Sequence, residues 1–93
     1  MAEKSNKLIK PQRKKSEDLG TPVDVLAFFE SGMTDPIKFR YNGKVYSVKR
    51  VLRNQVKLNK QYFFISTKES DEEEYRLVFN RESFRWYLKK LQK

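Results

Sequence analysis

Ile37-Lys38-Phe39-Arg40-Tyr41-Asn42-Gly43-Lys44-Val45-Tyr46-Ser47-Val48-Lys49 is the stretch whose reading decides the fold. Apolar and basic residues alternate on both sides of Asn42-Gly43. An Asn-Gly pair between alternating runs signals a two-residue hairpin, because both central residues of a type I′ turn need positive φ. So short a loop fixes the register, with Tyr41 opposite Lys44, Phe39 opposite Tyr46 and Ile37 opposite Val48. Ile37, Phe39, Tyr41, Tyr46 and Val48 then share the core face. Lys38, Arg40, Val45, Ser47 and Lys49 share a basic outer face. The alternation slips at Arg50-Val51-Leu52, where a bulge or bend would return side chains to the core.

Working outward, Arg53–Lys60 reads as a polar connection. Gln61–Lys68 is β-branched and aromatic and reads as a strand. Residues 69–74 hold five acids and form a turn. Glu74–Phe79 is a further strand with Tyr75, Leu77 and Phe79 inward. Residues 84–91 fit two templates. A strand buries Phe84, Trp86 and Leu88, whereas a helix aligns Phe84, Tyr87, Leu88 and Leu91. The strand is preferred, because it covers a sheet edge. On the N-terminal side, Thr21-Pro22-Val23-Asp24 has the form of a helix N-cap, an N1 proline and a capping-box acid. That pattern predicts a helix of about ten residues ending at Ser31-Gly32. Asp35-Pro36 would break the chain before the first strand.

The expected fold is therefore mainly β: a small curved antiparallel sheet or open barrel of four to five strands, with one short N-terminal helix. Residues 1–18 carry six basic and three acidic side chains and little apolar area, so they are expected to be a disordered basic arm. Residues 19–34 form the helix or a docking segment, and residues 35–93 form the β domain.

The 93 residues contain no cysteine and no histidine. Disulfides, thiol and imidazole catalysis, and Cys/His zinc sites are thereby excluded. Three glycines, at 20, 32 and 43, cannot build a phosphate loop, a dinucleotide fingerprint or a nucleophile elbow. The acidic run matches no calcium loop. The expectation is a non-enzymatic chain without metal or cofactor. No apolar run is long enough to span a bilayer, and the first residues carry no export signal, so the cytoplasm is the expected compartment.

Lys plus Arg number 21 against 12 acids, a formal charge of +9. Residues 37–60 hold eight basic side chains and no acid. Such patches attract polyanions, so DNA or RNA is the first partner class. The candidate contacts are Lys38, Arg40, Lys44, Lys49, Arg50 and Arg53. Tyr62, Phe63 and Tyr87 are the candidate stacking rings, with Trp86 as a further one. Another protein is the alternative partner, engaging the sheet edge or the hydrophobic segment 22–29. A third alternative is a small soluble domain whose charge is generic.

The spacing Pro36-x-x-Phe39-x-Tyr41-x-Gly43-x-x-Tyr46-x-Val48-x-x-Val51-Leu52, followed by Tyr62, Tyr75 and Trp86, resembles a family of small uncharacterised bacterial β-rich domains. That family has a P-x-x-F-x-[WY]-x-G-x-x-Y-x-V core and a late tryptophan strand. Some of its members resemble or adjoin DNA-repair polymerase accessory proteins. The resemblance spans residues 36–90. It implies a final strand and carries over no catalytic residue.

Overall fold

The computed structural model describes residues 18–70 and 72–91. Six strands close an antiparallel barrel in chain order. They are β1 (Thr21–Glu30), β2 (Met33–Tyr41), β3 (Lys44–Lys57), β4 (Lys60–Thr67), β5 (Glu74–Asn80) and β6 (Arg85–Leu91). The mainly β class is as expected, but the barrel is closed and has six strands. The basic arm at residues 1–17 lies outside the described residues.

The central hairpin forms as its alternation dictates. Lys38 pairs with Ser47, Phe39 with Tyr46, Arg40 with Val45 and Tyr41 with Lys44. Asn42 and Gly43 hold φ of 53° and 75°. The Phe39 and Tyr46 rings stack with centroids 5.2 Å apart.

The expected helix is absent: residues 21–30 are strand β1. Val23, Val25, Ala27 and Phe29 face inward, while Pro22, Asp24, Leu26 and Phe28 face outward. Residues 23–29 therefore carry a period of two as well as a helical cap. Ser31-Gly32 does not end a helix but turns a hairpin, with φ of 52° and 77°. β1 gains partners on both sides, β2 from Asp24 to Glu30 and β6 at Thr21–Val23, and that pairing outweighs a local cap. Residues 19–34 are thus part of the barrel and not a separate segment.

Asp35-Pro36 does not break the chain either. Pro36 is buried within β2 opposite Ala27, beside the bulge at Ile37. The β2–β3 ladder begins only at Lys38, so the amide that proline lacks is not needed there. The connection expected at 53–60 is likewise strand. β3 runs on to Lys57, paired with Lys60, and bulges at Lys49 and Leu52 reset its inward face. β6 is the expected strand, with Trp86 and Leu88 inward, but Phe84 lies in the preceding turn and is exposed.

Phe39, Phe63, Ile65, Tyr75, Leu77, Phe79, Trp86 and Leu88 form the core. Burying a Leu- or Phe-sized side chain contributes roughly 1.5–3 kcal/mol each, so this cluster is the main stabilising term. The β6–β1 seam depends on Gly20. Its φ is +107°, and a Cβ there would overlap the Leu88 carbonyl oxygen.

Candidate nucleic-acid interface

Strand alternation places three rows of side chains on the outer face of β3–β6. The first row is Arg53, Phe64, Arg76 and Lys89. The second is Gln55, Tyr62, Val78 and Tyr87, and the third is Lys57, Lys60, Asn80 and Arg85. Two basic rows thus flank an aromatic and aliphatic one. Four residues along a strand separate the basic rows, roughly 13 Å at about 3.3 Å per residue.

The cations are held by the rings beneath them. The Arg53 guanidinium carbon lies 4.3 Å from the Phe64 ring centroid. Lys57 Nζ and the Arg76 guanidinium lie 5.9 and 5.7 Å from the Tyr62 centroid. Stacked on rings, the heads keep much of their charge available to a second partner.

Two acids border this face: Glu74, two residues from Arg76 on the outward side of β5, and Asp18. Lys89 Nζ donates to Asp18 Oδ2 at 3.3 Å, and Arg76 Nη2 donates to the Asp18 carbonyl at 2.8 Å. The Asp18 carboxyl is held below the ordinary range, first by its hydrogen bond with Lys89 and then by that charge and the Gly20 N–H. Asp18, expected at the end of a disordered arm, is therefore tied to the barrel wall. Arg76 Nε is buried without a hydrogen-bond partner.

The six candidate cations do not form one patch. Lys38 and Arg40 share the outer face of β1–β3, where Arg40 stands opposite Asp24. Glu69 Oε1 accepts from the Ser47 N–H at 2.9 Å beside Lys38. Lys44 lies over the Tyr46 ring, 5.2 Å from its centroid, on the other side of the hairpin. Lys49 occupies a bulge, and Arg50 and Arg53 beyond it belong to the β3–β4 face.

The stacking rings need correction too. Phe63 is 1% exposed and lies inside the barrel, 5.8 Å from the Trp86 ring. Trp86 is itself core. Tyr62 does face outward but is only 5% exposed, so it supports cations and offers no free ring face. Tyr87 faces outward, half-buried, in the same row.

Arg76, Lys89, Lys57, Lys60 and Arg85 were not among the sequence candidates. The signal was present: with Tyr75, Leu77, Trp86 and Leu88 inward, Arg76, Arg85 and Lys89 must point out. Lys57 and Lys60 were missed because residues 53–60 read as a connection.

The acidic run serves structure at the end of the wall next to the Arg76 and Lys89 row. Lys90 Nζ lies 3.0 Å from Glu73 Oε2, and the Tyr75 hydroxyl donates to Glu73 Oε1 at 2.9 Å. Burial, then the Glu73 contact, pushes the Tyr75 phenol above its ordinary range. No cluster of three or more acids that could hold a metal occurs among the described residues. No helix among them is long and apolar enough to cross a membrane.

Fold and surface together define a small closed antiparallel barrel with a basic, ring-supported outer wall. No family model, curated protein or solved structure matches the chain. Nothing in these comparisons bears on the resemblance of residues 36–90.

Proposed function

We propose that this protein is a non-enzymatic module that contacts nucleic acid through the phosphate backbone, using the outer wall of β3–β6. The observation that carries this reading is the pair of basic rows, Arg53, Arg76 and Lys89 against Lys57, Lys60 and Arg85. Phosphate contacts position a protein without reading sequence, so low sequence specificity follows. Lys38 and Arg40 on the adjoining hairpin extend the surface laterally. The central row contributes support more than base stacking, because Tyr62 and Val78 are buried.

The test is anisotropy of labelled single- and double-stranded DNA and RNA with the full chain over a salt series, with heparin as the competitor control. Removing one cation that neutralises a phosphate should lower the single-strand slope of log K against log salt by about 0.7. Arg76→Gln combined with Lys57→Gln should therefore flatten it by about 1.4. An unchanged slope in the double variant, or equal displacement by heparin at every salt, would overturn the reading.

A further inference from the structure

The end of the barrel where β1–β2, β3–β4 and β5–β6 turn is open, apolar and strained. Three turns meet there: Ser31-Gly32, Leu58-Asn59 and Arg81–Phe84. The β2–β3 and β1–β6 ladders stop short of this end, so the β1–β2 tip flares away from its neighbours. The opening is a cavity of about 710 Å³ lined by Phe29, Met33, Val56, Gln61, Arg81 and Phe84, reaching down to the buried Phe79.

Two residues of these turns, Phe84 in the lining and Leu58 beside it, stand where backbone geometry favours glycine. Leu58 holds φ 55° and Phe84 holds φ 61°, a region where a Cβ crowds the main chain. At the other two-residue turns the chain uses Ser-Gly and Asn-Gly. Leu58 is 95% exposed, so burial does not offset its strain; Phe84, 74% exposed, is held by its ring contact with Phe79 at 5.8 Å between centroids. A strained backbone that projects large apolar side chains into water is a candidate contact surface.

Charge selects the occupant. Arg81 is the charged residue of the lining and makes no ion pair with any described residue. Arg85, Lys57 and Lys60 flank the turns at the strand ends, Glu82 follows Arg81 on its own turn and Glu30 precedes Ser31; none of these five is in the lining, and with Arg81 the cations around the mouth outnumber the acids four to two. A second copy docked end to end would set Arg81 and these cations against their own equivalents.

We infer that this mouth docks an acidic segment of a partner protein, which inserts apolar side chains beside Arg81. The lining of this mouth is distinct from the basic wall, although Lys57, Lys60 and Arg85 border both.

The experiment titrates the full chain with short synthetic peptides in which Asp and Glu flank a Leu or Phe pair. Control peptides carry Lys for the acids, or Ala for the apolar pair. The single tryptophan, Trp86, packs on Phe79 with ring centroids 4.7 Å apart and reports through its emission. The amide shifts of Thr34, Gln61 and Arg81 map the contact. Saturable binding of the acidic apolar peptide alone is expected. It should weaken at least tenfold in Arg81→Glu, and in Leu58→Gly and Phe84→Gly, whose melting temperatures should equal or exceed the parent's. Arg76→Gln should leave it unchanged. Any of four results would overturn the inference: no binding of any peptide, equal binding of the lysine controls, lower stability of both glycine variants, or oligonucleotide shifts confined to the same mouth amides.

Discussion

The wall β4–β6 and the flared hairpin β1–β2 are built from similar residues and behave differently. β4, β5 and β6 pair without a register shift, and none of their residues is a large exposed hydrophobic. β1, β2 and β3 carry all the shifts in the ladder, and Leu26, Phe28, Phe29, Met33, Val45, Leu52 and Val56 are exposed along them. The same aromatic and branched composition thus gives a core where both ladders are complete and a surface where they run out. Stability is concentrated in the first region. The second is freer to serve contacts.

The largest test of this contrast uses one side chain in both places. Phe63, inside β4, is 1% exposed, and Phe28, on the outer face of β1, is 67% exposed. Phe63→Ala should destabilise by about 3–5 kcal/mol, through the burial forgone and the cavity left behind. Phe28→Ala should stay within about 0.5 kcal/mol. Urea titration of both variants decides the matter. Comparable losses would mean that the β1–β2 tip is as much a part of the cooperative core as β4.

A smaller effect is expected at the seam that joins the two regions. Gly20→Ala forces a Cβ against the Leu88 carbonyl at a φ of +107° and should cost about 1–3 kcal/mol. Gly32→Ala, at the open tip, has nothing within 4 Å of its new Cβ and suffers only the backbone penalty of φ +77°. Thermal melts should rank Gly20→Ala well below Gly32→Ala. The reverse order would mean that closure through β1 and β6 adds little.

This contrast also explains what the sequence revealed. Hairpin β2–β3 was legible in register and faces, because Asn42-Gly43 admits one loop and the flanking residues alternate strictly. The inward set of β5 was legible for the same reason. β1 was not, because Thr21-Pro22-Val23-Asp24 is a sound local helix start, and the barrel pairing that overrides it is set by residues more than 60 positions away. The far half of β3 was missed because Arg53–Lys57 is polar apart from Val56 and shows no alternation. Its strand character comes from pairing with Phe64, Phe63, Tyr62 and Lys60 rather than from its own pattern. The candidate site divided along the same line. Lys38 and Arg40 fell together as the hairpin required. The basic rows of the wall depend on how β3, β4, β5 and β6 align, which composition does not specify.

The smallest expected effect concerns Asp18, where the chain entering β1 meets the wall. Its carboxylate occupies Lys89 and its carbonyl occupies Arg76, two cations of one basic row. Because the folded carboxyl titrates below its unfolded value near pH 4, its contribution to stability is complete above that value. The contribution disappears as pH falls through the lower folded pKa. Asp18→Asn should therefore lower the melting temperature slightly at neutral pH and leave it unchanged once both forms are protonated. The carboxyl shift of Asp18, followed by NMR down an acid titration, gives the folded value directly. Binding should move the other way, because removing one negative charge frees Lys89 for a phosphate and steepens the salt dependence of single-strand affinity. If Asp18→Asn weakened binding in proportion to its loss of stability, Asp18 would be positioning the basic row. Tighter binding at lower stability would show instead that the wall is held partly neutralised by the segment that precedes β1.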